Sequence, residues 1–520
     1  MIGETTPVRG TRMAGHDGFA QLLRSEWVKF WTVRAWVVSL VLAAVLTAGV
    51  TLALANASGS NGALPDVVTG PGGVAVNDSF YFMHRTLAGN GDITVRVTSL
   101  ADGAFPGLGE GTLATQPWAK AGIILKDGTQ AGSAYAAVMA TPGHGVRMQY
   151  DFTHDTAGLP GAVSVSSPRW LRLVRSGDTV TGYDSADGSH WTMIGSGTLA
   201  GLGSSVQAGL FVASPWVSQN GNELVTQASA RFDDLSLQGG WSAGEWGQCE
   251  VAASYLGGGV KGVARGCVQT TAQGIRIGSE TQSGGTFAVA GTGDISPYVP
   301  AVDILGGVFK GTLAGLVALI ALGGVFISSE YRRGVIRTTF AGSPRRGRVI
   351  LAKAAVIGTV AFAASLAGAA IALAITGPEL RSNGWTSPIY PLVSLGTGTG
   401  LRIVAGTAVL LALAAVFALA VAVILRRGAG AITVGIALFV GPLLVAAAVG
   451  RPAGAFLLRV TPAAAFSVQQ GVQRYPQSNA VCLASHGCYP LAPWNGVAVL
   501  AIWTVAALVA SWYVVSRRDA

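Results

Sequence analysis

The chain has 520 residues, and only 11% of them are charged, whereas a soluble domain averages about 25%. Half of the residues are hydrophobic and the mean hydropathy is +0.49, so much of the chain is expected to face no water. The net charge of +9 would suit a nucleic-acid partner, but the Lys and Arg residues concentrate beside apolar stretches. Membrane topology explains that placement better, and we expect no nucleic-acid partner.

The first segment, 1–34, is predicted to be a cytoplasmic N-terminus that ends in an interfacial amphipathic helix. Phe19, Trp27 and Trp31 recur at helical spacing, and Lys29 lies between them. A basic amphipathic helix with tryptophans lies well in a membrane interface. The alternative is that this segment is only the polar flank of the first membrane span.

Six apolar runs are long enough to cross about 30 Å of hydrocarbon as helices. The fifth contains Gly441-Pro442, which predicts a kink because proline lacks a backbone donor. The predicted spans are 35–56, 304–327, 354–376, 403–425, 430–450 and 495–515. The chain is therefore predicted to be a polytopic α-helical membrane protein, with 303–520 forming a core of five spans.

Basic residues form four groups beside these spans, and their placement predicts the topology. They lie before span one, between spans two and three, between spans four and five, and after span six: Arg24, Lys29, Arg34; Arg332, Arg333, Arg337, Arg345, Arg346, Arg348, Lys353; Arg426, Arg427; Arg517, Arg518. Because such residues favour the cytoplasmic side, both termini are predicted to be cytoplasmic, as an even number of spans requires. Segments 57–302, 377–402 and 451–494 are then extracellular.

The long external insert is predicted to be a linker at 57–76, an all-β domain at 77–238 and a juxtamembrane segment at 239–302. Residues 93–97 alternate with the period of a strand, and 185–188 form a hairpin-turn sequence. Many short strands with frequent turns predict a β-sandwich or jelly roll. The juxtamembrane segment would be either a stalk or added strands.

The order of short sequence segments within this insert resembles that of the concanavalin A-like, laminin-G-like sandwich domains of bacterial surface proteins. The residues that carry the resemblance are 92–97, 121–127, 145–150, 168–173, 183–191, 208–212 and 232–235. The resemblance implies a domain that either binds glycan or supports its neighbour. Four aromatic residues are candidates for stacking on sugar rings, or else they fill the core or brace turns: Trp118, Tyr150, Trp191 and Trp216.

The polar residues of the insert predict neither a metal site nor an enzyme. Four aspartates could ligate calcium, but they are scattered and no loop signature gathers them: Asp127, Asp151, Asp155 and Asp184. No nucleophile–base arrangement stands out. The four cysteines all fall in the predicted external segments, where disulfides persist. We predict the pairs Cys249–Cys267 and Cys482–Cys488; the alternative is four free thiols.

The predicted cytoplasmic segment after span two, 329–348, reads SEYRRGVIRTTFAGSPRRGR, and Lys353 follows it. This segment resembles permease subunits of the ABC-2 type transporter family, which show an acidic residue, a basic residue and Gly here, then a Pro-Arg-Arg-like turn. Val335 replaces the usual Thr. The resemblance covers 19–56 and 303–520, including short external helices at 451–490.

The resemblance implies that the segment after span two contacts a nucleotide-binding subunit. It assigns coupling to Glu330, Arg332, Arg333, Gly334 and Arg337, although positive-inside anchoring alone would also explain the arginines. The sequence contains no GxxxxGK[ST] motif, so ATP would be bound by a partner ATPase and the chain itself would need no cofactor.

These patterns predict a permease subunit of an exporter in a bacterial plasma membrane. It would work in the lipid bilayer as a homodimer or a paired permease, with the β-domain capping the pore or binding glycan. The alternative is a membrane-anchored glycan-binding or surface-sensing protein without transport.

Overall fold

The computed structural model describes most of the chain. The described residues are 18–59, 67–102, 116–219, 222–251, 266–268, 278–342, 345–449, 451–478 and 487–517. They contain six helical stretches that are long and apolar enough to cross a membrane, together with a large β-sheet region. A mixed arrangement of β-domain and helices is therefore present, as the sequence predicts.

The helices occupy the beginning and the last two fifths of the chain. Their bounds are α1 Phe19–Thr32, α2 Arg34–Asn56, α3 Ile304–Val308, α4 Thr312–Arg332, α5 Val335–Gly342, α6 Arg346–Ser382, α7 Gly398–Leu425, α8 Gly428–Phe439, α9 Gly441–Ala448, α10 Arg451–Val460 and α11 Pro493–Arg517. The six apolar stretches are α2, α3 with α4, α6, α7, α8 with α9, and α11. Short 3-10 turns join α3 to α4 and follow α10 at Pro462–Gln469.

Two features of the helices refine the sequence prediction. The predicted kink is confirmed, because α8 ends at Phe439 and α9 begins at Gly441, next to Pro442. Helix α6 has 37 residues, and at 1.5 Å per residue it spans about 55 Å, well beyond the predicted 354–376. The apolar run underestimates this helix because its first turns carry Arg346, Arg348 and Lys353 and its last turns carry Pro378, Glu379 and Arg381.

Helix α7 lies at the centre of the helical region and is buried on nearly every side. Helices α4, α6 and α11 pack around it. Small residues allow close approach: a Cβ at Gly323 would lie 2.2 Å from the carbonyl oxygen of Ala415, so only glycine fits there. Close contacts through small residues are the usual way in which apolar helices associate in lipid.

The strands occupy the insert between α2 and α3. Their bounds are β1 Val68–Thr69, β2 Ala75–Asp78, β3 Phe80–Asp102, β4 Lys120–Lys126, β5 Tyr135–Thr141, β6 Gly145–Tyr150, β7 His154–Ala157, β8 Arg169–Ser176, β9 Thr179–Ser185, β10 Thr192–Thr198, β11 Ser205–Ala213, β12 Val217–Gln219, β13 Asn222–Leu224, β14 Ala228–Trp241, β15 Gly247–Val251, β16 Cys267–Val268, β17 Ser279–Ser283, β18 Thr286–Gly291 and β19 Ile295–Pro297.

One long strand, β3, organises the large antiparallel sheet. It pairs with β11 and β15 along its first half and with β8 and β14 along its second. The main path runs β10-β9-β8-β3-β11-β4-β5-β6-β7. The sheet folds over so that Val138 and Met148 share a core with Leu171 and Val180. This buried layer explains the alternating pattern of β8 and β9, whereas β5 is buried along its whole length.

A second apolar layer lies under a small sheet of order β1-β2-β19. Val76 and Ile295 from that sheet pack with Phe80, Phe82 and Tyr135 of the large one. The juxtamembrane segment supplies β15 to β19, which pair with one another and with β2, β3 and β14. It therefore adds strands to the β-domain and does not form a separate stalk.

Candidate functional site

Helices α1, α4 and α6 meet at a buried cluster of four charged side chains. Lys353 Nζ lies 2.6 Å from Glu26 Oε2 and 2.7 Å from Glu330 Oε1, and the Lys353 side chain is fully buried. Lys29 Nζ lies 2.7 Å from Glu26 Oε1 and 3.8 Å from Glu330 Oε1. We call Glu26, Lys29, Glu330 and Lys353 the charge cluster. The cluster joins Glu26 and Lys29 of α1 to Glu330 near the end of α4 and to Lys353 in the first turns of α6.

Aromatic side chains shield the part of this cluster around Lys353 from water. The Lys353 ammonium lies 5.1 Å from the ring centroid of Phe326, which packs against Phe30 and Trp36. In such apolar surroundings a charge is stable only when it is paired and hydrogen-bonded. The other carboxylate oxygen of Glu330, Oε2, is buried and has no hydrogen-bond partner in the part of the chain that the structure describes. The cluster is thus tight around Lys353 and incompletely satisfied at Glu330.

The predicted coupling residues in the connector from α4 to α6 differ in whether they are buried or exposed. Glu330 points into the charge cluster and is only 8% exposed, whereas Arg332 and Arg333 are exposed to solvent. Gly334 follows with φ of +70°, a left-handed conformation that favours glycine and turns the chain into α5. Arg337 lies in α5, but its side chain is outside the described residues.

Helix α5 is held to the other helices by its apolar face. Ile336 and Phe340 are buried, and Thr338 is exposed on the other side. The connector therefore exposes Arg332, Arg333 and Thr338, while packing and Glu330 fix it to the other helices. Lys353 thus links the end of α4 to α1 and α6.

The four basic groups of the sequence come together at the same end of the helices. Lys29 approaches Glu330, the Arg426 guanidinium lies 5.9 Å from the ring centroid of Tyr331, and Arg346 Nη1 donates to the Val515 carbonyl at 3.2 Å. These contacts link α1, the α4–α6 connector, the α7–α8 turn and the end of α11. One end of the helical region is therefore strongly basic, and we call it the basic end.

The β-domain lies at the opposite end. The end of α2 and the end of α6 meet there through the indole of Trp385, which donates to the carbonyl oxygen of Ser58. Gln477 Nε2 donates to the Phe152 carbonyl at 3.1 Å, which ties the segment after α10 to the β-domain. Asp303 caps α3 and also accepts hydrogen bonds from the backbone amides of Gly471 and Val472.

The aromatic candidates of the β-domain are mostly covered. Trp118 is 7% exposed and stacks on His144 with ring centroids 3.8 Å apart. Tyr150 stacks on His154 at 4.1 Å and covers Gly197, where a Cβ would lie 2.8 Å from its ring. Trp191 and Trp216 are half-buried. The core-filling alternative fits Trp118 and Tyr150 better than an open stacking platform.

Two of the aspartates considered for calcium have partners within the β-domain. Asp155 pairs with Arg147 and accepts from Gln149 Nε2, and Asp184 accepts from the backbone amide of Leu159. Among the described residues, the group with ligand atoms close enough to hold a metal is His84, Cys249 and Cys267. Both of these sulfurs are already joined to each other.

The predicted disulfide between Cys249 and Cys267 is present, and it links β15 to β16. Cys488 is also disulfide-bonded, whereas Cys482 lies outside the described residues. Sequence reasoning missed Glu26 as a functional candidate. The signal available was an acidic residue on the otherwise basic helix α1, matching the unexplained acid Glu330.

Comparison with known proteins does not assign the chain to a family. No protein-family model matches the chain, and no curated protein matches it. A functionally unknown protein from Saccharomyces cerevisiae is 14% identical with a TM-score of 0.19, over 30% of this chain and 74% of that chain. Scytalido-glutamic peptidase with a transition state analog inhibitor is 9% identical with a TM-score of 0.25, over 43% of this chain and 100% of that chain. A second structure of that peptidase, with a peptide-based analog, is 10% identical with a TM-score of 0.22 over the same shares. Likenesses this weak carry no argument about function.

Proposed function

We propose that this chain is the membrane-spanning permease subunit of an ABC-2 type exporter in a bacterial plasma membrane. The observation that carries the proposal is the charge cluster, which fixes the α4–α6 connector to α1 and α6 at the basic end. Six apolar helices with four groups of basic residues at one end favour a multi-pass membrane protein with that end in the cytoplasm.

The surface of α1 supports an interfacial position for this helix. It buries Glu26 and Phe30 against the other helices, and it leaves Trp27 39% and Trp31 49% exposed. Tryptophan side chains are enriched at the membrane–water interface, where an apolar ring and a polar N–H can both be accommodated. On this arrangement α1 lies along the cytoplasmic surface and stays attached to the spans through Lys353.

Coupling to ATP hydrolysis would use the same arrangement. Arg332 and Arg333 offer the exposed charges that an ATPase subunit would contact, and Glu330 acts through position because it is buried. Movement of the connector would pull on α1, α4 and α6 together. The sequence has no P-loop, so the energy would come from a separate ATPase that binds the ATP.

The β-domain would then lie outside the cell, where it caps the external mouth or binds a ligand such as glycan. Its layered antiparallel sheet is compatible with a concanavalin A-like, jelly-roll sandwich, and its disulfide suits an oxidising exterior. A second permease chain, identical or paired, would complete the pore.

The test is to purify the tagged full-length chain from its own cells and assay the preparation for a P-loop ATPase and ATP hydrolysis. We compare Arg333→Glu with the matched control Arg427→Glu, an exposed arginine of the basic end outside the connector. Because a reversed charge at an interface is repelled, Arg333→Glu should lower the copurified ATPase at least about tenfold. Arg427→Glu should retain most of it.

Two results would contradict this proposal. One is a purified chain without any ATPase whose membrane vesicles show no ATP-dependent flux; that would favour a membrane-anchored glycan-binding or surface-sensing protein. The other is an equal loss of ATPase in both variants, because the connector would then have no special part in the contact.

A further inference from the structure

A cavity of about 620 Å³ opens at the basic end between the first turns of α6 and the last turns of α11. It is separate from the charge cluster. Its charged wall carries three arginines, Arg345, Arg346 and Arg348, and none of its lining residues is acidic. A cavity with this lining favours an anionic ligand.

The three arginines differ in how they are already engaged. Arg346 Nη1 donates to the Val515 carbonyl, and its guanidinium lies 5.6 Å from the ring centroid of Phe340. Within the described ranges, Arg345 and Arg348 form no ion pair, and both side chains are at least partly exposed. Arg346 therefore holds the wall in place, and Arg345 and Arg348 can bind an external anion.

Apart from Ser516, the remainder of the cavity lining is apolar, and it opens to the outer surface of the helices. Leu351 is 53% exposed, Val509 is 57% exposed and Trp512 is 57% exposed. A small soluble anion would leave these side chains uncovered. A molecule with a phosphate group and a long apolar chain would cover them and reach the arginines at once.

A close approach between Gly347 and Trp512 gives the cavity its shape. A Cβ at Gly347 would lie 2.3 Å from Trp512 Cδ1 and 2.5 Å from Nε1, so the indole ring rests directly on the α6 backbone. Any larger residue at this position would push the indole away. The cavity can thus be altered without changing a charge.

We propose that this cavity binds an anionic phospholipid of the cytoplasmic leaflet, with its phosphate at Arg345 and Arg348 and an acyl chain along Leu351, Val509 and Trp512. The inference rests on the membrane placement in the proposed function, and it is independent of any ATPase. The bound lipid would hold the start of α6 against α11 at the same end as the connector.

The test uses the full-length chain purified in detergent and exchanged with equimolar dioleoyl phosphatidylglycerol and dioleoyl phosphatidylcholine. Retained lipids are counted by native mass spectrometry. The unaltered chain should retain phosphatidylglycerol over phosphatidylcholine by at least about fivefold, because each arginine at a membrane surface attracts anionic lipid. Arg345→Gln with Arg348→Gln should bring the ratio close to one.

Two further variants distinguish lipid binding at this cavity from attraction by the general surface charge. Arg381→Gln with Arg459→Gln removes the same charge from exposed residues that do not line the cavity and should leave the ratio unchanged. Gly347→Ala should lower retention of phosphatidylglycerol without altering charge. Equal loss in the Arg381/Arg459 control, or full retention in Gly347→Ala, would overturn the assignment.

A measurement on the unaltered chain avoids any dependence on how the variants fold. Phosphatidylglycerol with a photoreactive acyl chain should cross-link within α11, and 1 mM glycerol 3-phosphate should not prevent it. Cross-linking spread evenly over the apolar helices would overturn the site. Complete protection by glycerol 3-phosphate would show a soluble anion as the occupant and would overturn the lipid. Since no ATPase enters these measurements, they can succeed even if the exporter proposal fails.

Discussion

The β-domain and the helical region both bury lysines, but they neutralise them differently. In the β-domain, Lys120 and Lys126 of β4 are fully buried. Lys126 Nζ lies 2.6 Å from Asp78 of β2, and Lys120 Nζ lies 2.7 Å from Asp294, next to β19. Each lysine also donates to a backbone carbonyl. These are one-to-one pairs that fasten the small sheet to the large one.

The charge cluster of the helical region has a different balance. A single buried lysine, Lys353, serves two carboxylates, and the second cation, Lys29, is 38% exposed at its side chain. Within the described residues, one buried carboxylate oxygen lacks a hydrogen-bond partner in each place, Asp78 Oδ1 in the β-domain pair and Glu330 Oε2 in the charge cluster. The difference therefore lies in the lysine that two carboxylates share. Each β-domain pair thus joins one lysine to one carboxylate, whereas the charge cluster joins three helices through one shared lysine.

The largest effect should follow from Lys126→Met, which removes the cation of the buried Lys126–Asp78 pair in the β-domain. Asp78 would remain buried without its cation, and removing one partner of a buried pair costs about 3–5 kcal/mol. Hydrogen exchange of β4 peptides in the full chain should speed up accordingly. Adding Asp78→Asn should recover much of the loss. Equal destabilisation by the single and the double variant would contradict the pairing.

A somewhat smaller effect, roughly 3 kcal/mol, should follow from Lys353→Met, since Lys29 still neutralises part of the charge. Glu26 and Glu330 would repel each other, and α1 should detach from α4 and α6. Faster hydrogen exchange confined to α1, with β4 unchanged, is the expected result.

The neutral triple variant is the matched control for this cluster. Glu26→Gln, Lys353→Met and Glu330→Gln together remove every charge that Lys353 balances, so α1 should return to near its original exchange rate. If the triple variant exchanges as fast as Lys353→Met, the loss reflects packing of the lysine chain and not its charge.

The smallest effect concerns a buried carboxyl in β15. Glu250 is 3% exposed, and burial raises the pKa of its carboxyl well above its usual range. The folded chain then keeps a proton that the unfolded chain releases above about pH 4.3. The resulting stability is present below that pH and is lost as the pH rises through the raised pKa of the folded state.

Glu250→Gln should remove this dependence. Pulse proteolysis of the full chain in urea at pH 5 and pH 8 should show a smaller difference in the stability of the β-domain for the variant, with the variant more stable at pH 8. An unchanged difference between the two pH values would mean that Glu250 is not protonated in the folded state.

Local patterns predicted much of this fold. The segment 93–97 lies in β3, because a strand with one buried face alternates in sequence. Apolar length predicted the six long helices, and Gly441-Pro442 predicted the break between α8 and α9. These features are determined by residues that are close together in the chain.

The parts of the fold and of the charge cluster that the sequence did not predict depend on contacts between residues far apart in the chain. Lys353 and Glu26 are 327 positions apart, and β15 pairs with β3 across more than half of the insert. The very short strands β1, β2 and β19 have too few residues to show a period. The charge cluster could be anticipated only in part, from Glu330, because its partners are chosen by the packing of three helices.

The central claim is that the basic end faces the cytoplasm and the β-domain faces the exterior. The direct measurement is labelling of Arg427→Cys and Ser189→Cys in intact cells with a membrane-impermeant thiol reagent, since both positions are exposed. The account predicts that Ser189→Cys is labelled at once and that Arg427→Cys reacts only after the cells are permeabilised. Ready labelling of Arg427→Cys in intact cells would contradict it.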